Sequence, residues 1–225
     1  MTTTRRGAYD RATRTLHERA SDPRTLAGTL FVVLAVQFLT VIMLAAAMAP
    51  GYDFGGGAIS DLGVLAPTAL LFNASLVAAG LLDIAGGYAF YRVHGERWIL
   101  AVFVLAGVGA VGAGVFPLDT GGLHGLFALV AFLFFNLQAL ASATRLRGVV
   151  KATGIVAGMV GLTFVLLMAI GDGGNAAAFG PIGHGGTERM IVYPVMLWLV
   201  AFGGSLLGTP LAETRPAVGE NEATD

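Results

Sequence analysis

Ser60 and Asp61 sit in a Gly-rich connector that carries no Lys or Arg between two long apolar runs. Four further groups of similar chemistry follow far along the chain. Asp119 and His124 are five positions apart, across a turn and the start of a run. His184 and Glu188 are four apart, just before Arg189 and Tyr193. Histidine is the natural proton acceptor near neutral pH, and a neighbouring carboxylate can orient or relay its proton. Asp61, Asp119, His124 and His184 are therefore the candidate catalytic set. Ser60, Asn73, Arg189 and Tyr193 are the candidate substrate-binding set, with Arg189 suited to an anionic headgroup. Asp119, His124, His184 and Glu188 together have the N and O donors of a Zn2+ site, although nothing in the sequence requires a cofactor. Each has a plainer reading. Asp61 caps a short helix, Asp119 and His124 are a loop acid and an interfacial histidine, and Arg189 pairs with Asp61 or Glu188. Gly185 and Gly186 speak against a continuous helix through 184–188. Ser60 next to Asp61 is no nucleophilic triad.

The surrounding elements must place these groups in a membrane. Hydrophobic residues make up 56% of the 225 positions and charged residues 12%, with a mean hydropathy of +0.77. A soluble domain usually carries about a quarter charged residues. The absence of cysteine excludes disulfides, thiolate metal sites and cysteine nucleophiles. Six apolar runs are each long enough to cross a hydrocarbon core, or nearly so: 26–49, 67–91, 98–115, 124–143, 149–170 and 189–207. The first is too long for a signal peptide's apolar core. Pro67 is placed to open the second helix. The expected fold is an all-α integral membrane protein, a six-transmembrane-helix bundle over 26–208.

A basic tail, 1–25, precedes the bundle. In it Tyr9, Ala12, Leu16 and Ala20 fall near helical spacing, as a surface helix or an unstructured arm would have them. An acidic tail, 209–225, follows. With six spans, twelve of the thirteen Lys and Arg fall on one side and Arg189 alone on the other. That bias predicts both termini in the cytoplasm of a cell (plasma) membrane protein, with the Asp61 connector on the outer face. Small residues such as Gly107, Gly112, Gly154 and Gly158 read as helix-packing seams. Asp83, costly in hydrocarbon, should turn inward to Asn136 or Gln138.

The order Ile59-Ser60-Asp61-Leu62-Gly63, Phe72-Asn73, Gly114-Val115-Phe116-Pro117-Leu118-Asp119 with His124, then Glu188-Arg189 and Tyr193-Pro194 with Trp198, resembles the family called domain of unknown function 998. That resemblance implies a multi-pass membrane fold and marks these positions, but it implies no activity. The Ser60-Asp61 stretch is also similar to the connector of the Frag1/DRAM/Sfk1 membrane proteins, some of which act in lipid-anchor remodelling or lipid distribution. The expected function is an outward-facing polar pocket that binds or modifies a lipid or lipid-linked substrate. The alternative is a non-catalytic scaffold, lipid-organising protein or small transporter. The expected partners are the lipid bilayer and a lipid headgroup, with no nucleic acid.

Overall fold

The computed structural model describes residues 22–208. Residues 1–21 and 209–225, including the surface helix considered over 9–20, lie outside the described residues, while 22–25 of the expected tail form the cap and first turn of the first helix. Six helices are long and apolar enough to cross a membrane: α1 (Pro23–Met48), α2 (Ala69–His94), α3 (Arg97–Val115), α4 (Gly122–Ala143), α5 (Gly148–Asp172) and α6 (Gly183–Leu207). No strand occurs among the described residues.

The helix ends are set by local chemistry. Pro23 opens α1, and the Asp22 carboxylate accepts from Thr25 N–H at 3.0 Å, which caps it. These hydrogen bonds, the Thr25 backbone first, hold the Asp22 carboxyl below its ordinary pKa. Gly95 ends α2 in the left-handed conformation, φ 74°, its N–H on the Tyr91 carbonyl at 2.7 Å. Pro67 does not open α2. It lies in the turn before Thr68, whose hydroxyl donates instead to the Leu62 carbonyl at 2.7 Å. α6 begins at Gly183, a turn and a half earlier than apolarity alone suggests, so Glu188 and Arg189 are buried within it.

The helices pack in chain order, each on the next, and α6 closes the ring on α1. Short connections make every neighbour antiparallel. Connectors 49–68, 116–121 and 173–182 therefore share one end. The other end holds Arg24, Arg92, Arg97, Arg145, Arg147 and Lys151, where Glu96 and Arg145 pair across two turns. At this basic end Phe31, Phe90, Phe103 and Phe202 are all buried, and Phe31–Phe103, Phe31–Phe202 and Phe90–Phe202 have centroids 5.2 Å apart. Trp198 stacks on Phe202 at 4.9 Å.

Lipid offers no hydrophobic drive for helices to associate, so close backbone approach and polar contacts hold the ring. Gly28 meets Gly203 where α1 and α6 close it, and Gly80 meets Gly107 between α2 and α3. The Gln37 and Ser75 side chains bond at 2.8 Å between α1 and α2. Inside the ring Gln138 donates to the fully buried Asp83 at 3.2 Å, one of the two partners expected. Asn136 has other work. Pro194 has no N–H to give the Met190 carbonyl of α6, and the Asn136 amide donates to the adjacent Ile191 carbonyl at 3.2 Å. Its side-chain oxygen lies against Gly161 of α5, where a methyl group would overlap it.

Gly161→Ala should therefore destabilise the bundle by about 1–3 kcal/mol in SDS-titrated unfolding. Gly204→Ala, with nothing within 4 Å of the added carbon, should stay within about 0.5 kcal/mol of the parent. Equal stability of the two variants would contradict the α4–α5 seam.

Candidate functional site

At the loop end the connector 49–68 folds back over the ring. Asp53 accepts from the N–H groups of Gly55 and Gly56, both at 2.9 Å, and makes a compact turn. That turn presses on the start of α6. The Gly186 N–H donates to the Gly55 carbonyl at 3.1 Å, and a side-chain carbon at Gly185 would collide with the Gly57 carbonyl. Gly185 and Gly186 thus permit contact rather than break the helix. His184 and Glu188 share one helix, a turn apart, contrary to the expectation from composition.

Arg189 secures the same connector. Its Nη1 donates to the carbonyls of Gly185 (2.8 Å) and Gly57 (3.1 Å), and its Nη2 to the Tyr52 hydroxyl at 2.7 Å. The Tyr52 hydroxyl passes its own proton to the Ala58 carbonyl at 2.6 Å. The guanidinium also sits 4.1 Å from the Phe54 ring centroid, a cation–π contact. The expected pairing of Arg189 with Asp61 or Glu188 is not made. Burial pushes the Tyr52 phenol above its ordinary value, and the Arg189 hydrogen bond and charge offset part of that.

Beyond Ala58 the chain makes a short 3-10 turn, Ile59–Gly63. Asp61 accepts from the Ala58 N–H at 2.8 Å, the capping role. Asn73 holds the far end by donating to the Gly63 carbonyl at 2.8 Å. Glu188, 3% exposed, takes the Ile59 N–H on one oxygen and the Ser60 hydroxyl on the other, the latter at 2.8 Å. The turn is thereby bolted to α6.

His124 arrives from α4. Pro117 has no N–H to give the Ala113 carbonyl at the end of α3, and His124 Nδ1 fills the gap. It lies 3.2 Å from that carbonyl and 2.8 Å from that of Phe116. Both partners are acceptors, so Nδ1 carries a proton, and in the neutral imidazole Nε2 then holds the lone pair. Nε2 is buried without a hydrogen-bond partner, and the residue is 4% exposed.

Two cavities meet here. A cleft of about 410 Å3 lies among the connector 56–61 and the loop-end parts of α4, α5 and α6. Ser60, Asp61, His124, Asp172, His184 and Glu188 are its polar lining. Its origin is the α4–α5 seam. The helices touch at Asn136 and Gly161 and splay above, where Ala128, Leu129, Val165 and Met168 face the gap. A narrow chamber runs inward along the bundle axis, lined by Phe38, Phe72, Ala79, Ala110, Ala131 and Met196 among others. Ser60, His124, Ala128 and Glu188 line both cavities.

The structure thus brings Asp61, His124, His184, Ser60 and Glu188 to one cleft. It leaves the others elsewhere. Asp119 is exposed in the 3-10 turn Leu118–Thr120. Asn73 and Arg189 hold loop backbone, and Tyr193 lines neither cavity. Among the described residues no three His, Asp or Glu side chains gather closely enough to hold a metal ion. His184 Nε2 lies instead 3.2 Å from Asp172 at the rim. The anchor role of Tyr52 and the alanine-lined chamber were missed by sequence reasoning. The alanines gave a signal, since Ala79, Ala110 and Ala131 stand where larger apolar residues would be ordinary.

A ring of six apolar helices with a buried polar junction under one end defines a multi-pass membrane protein. The chain belongs to the family described as "Protein of unknown function (DUF998)", whose model matches residues 32–205. No curated protein and no solved structure matches it.

Two measurements check the anchor. Arg189→Lys keeps the charge but not the forked contacts, so hydrogen exchange across 52–58 should quicken while that of α3 is unchanged; unaltered exchange would contradict the anchor role. Difference titration of the parent against Tyr52→Phe should place the Tyr52 phenol above the ordinary value of about 10. With the folded value raised, the phenol's contribution to stability is complete below the unfolded value. It is lost as pH rises through the folded one. A Tyr52 midpoint at or below the ordinary value would refute this.

Proposed function

We propose that this protein sits in the cell membrane with both termini in the cytoplasm and holds a lipid or lipid-linked amphiphile in its cleft. One observation carries the reading. A polar cleft and an apolar chamber meet at Ser60, His124 and Glu188, and the His124 Nε2 lone pair is buried there without a partner. Buried polar atoms are normally satisfied, so an unpaired one beside a cavity points to a ligand. Pockets between bundle helices, mostly apolar with a few polar groups, are ordinary ligand sites. The gap between α4 and α5 gives a long-chain molecule a route from the bilayer. If the ligand is modified there, His124 is the group placed to take a proton from its head.

A second reading has its own support. Both Glu188 oxygens are taken up by the Ile59 N–H and the Ser60 hydroxyl, as a purely structural tie would have them. In that case the residues only fasten the loops of a scaffold or lipid-organising protein.

Ala128→Phe separates the two by filling the junction. The variant should unfold like the parent yet co-purify with markedly less lipid by mass spectrometry. A folded variant with the parent's lipid complement would favour the structural reading. Orientation is checked on a chain that has no cysteine of its own. Thr120→Cys should react with an impermeant maleimide on whole cells, and Arg147→Cys only after lysis. The reverse pattern would invert the proposed topology.

A further inference from the structure

The polar groups of the cleft are nearly all acceptors. Asp61, Asp172 and Glu188 are carboxylates, and His124 presents a lone pair at Nε2. Ser60 has already given its proton to Glu188. Among the described residues no Lys or Arg lines the cleft or the chamber. Arg189, the one arginine at this end of the described chain, is engaged by Gly57, Gly185, Tyr52 and Phe54. Among the described residues at the rim, the group able to become cationic is His184, which already faces Asp172. The chamber beyond is walled by Phe, Leu, Ala, Val and Met side chains, a lining for hydrocarbon. An anionic head would meet three carboxylates at close range with no fixed cation to offset them. A head that donates hydrogen bonds would meet a complementary lining.

We propose that the cleft takes a long-chain amphiphile whose head is a hydrogen-bond donor, an amine or a hydroxyl, and discriminates against a phosphate head on the same tail. This rests on the reading that the cleft and chamber hold an amphiphile. It departs from the expectation of an anionic headgroup on Arg189. The buried, unpartnered Nε2 of His124 is the observation that makes the acidic lining a site rather than a solvated rim.

The test varies the head at constant tail. Radiolabelled hexadecylamine, hexadecanol and hexadecyl phosphate are titrated, in trace amounts, onto the purified full-length protein in neutral detergent. The amine and the alcohol should bind saturably and at least about tenfold tighter than the phosphate. Butylamine, the head without the tail, should not compete. The double variant Asp61→Asn/Asp172→Asn should narrow the gap between amine and phosphate while hexadecanol binding persists, which also shows that it is folded. Phosphate binding as tightly as the amine, an unchanged gap in the double variant, or effective competition by butylamine would overturn the head-group assignment while leaving a ligand in the cleft. Absence of saturable binding by all three long-chain probes would overturn both this assignment and the amphiphile reading.

Discussion

The attachment of one connector to the last helix determines what the loop end of this bundle is. Glu188 is nearly inaccessible, and burying a carboxyl group is costly unless its oxygens are satisfied. The Ile59 N–H and the Ser60 hydroxyl satisfy them. In the same step they fix the 3-10 turn above the ring, where Ser60 and Asp61 become walls of the cleft. Arg189, one residue on, fastens the preceding stretch through backbone carbonyls and Tyr52. Adjacent residues on one helix turn thus hold two halves of a connector that, in a chain without cysteine, no disulfide stiffens. Without them the chamber would have no roof.

The membrane ring was legible because its causes are local and repetitive. Long apolar runs, Gly and Ala at close intervals and a one-sided basic distribution are each visible in the sequence. Six helices of membrane-crossing length and apolarity follow from them. The ends were less legible. Hydropathy begins α1 at residue 26, yet Asp22 and Pro23 form the actual start. It also begins α6 at residue 189, although the helix opens at Gly183 because Gly185 and Gly186 are packed against loop backbone. A glycine that lets two chains touch and a glycine that ends a helix look alike in sequence.

The site was half legible for the same reason. Residue type marked Ser60, Asp61, His124 and His184, and these do line one cleft. Residue type could not say that Arg189 is occupied by carbonyls, or that Asp119 is exposed in its turn and outside the lining of the cleft. Those outcomes depend on where a turn points its side chains. The His124 geometry is partly readable in hindsight. Pro117 leaves the Ala113 carbonyl without its helical donor, and the imidazole of His124, seven residues on, supplies one.

The ring of phenylalanines at the basic end has a consequence for traffic. Phe31, Phe90, Phe103 and Phe202 interlock at the basic end, and none of them is among the residues that line the chamber, so a layer of aromatic rings stands between that chamber and the basic face. Movement along the bundle axis from one end to the other would require those four rings to part.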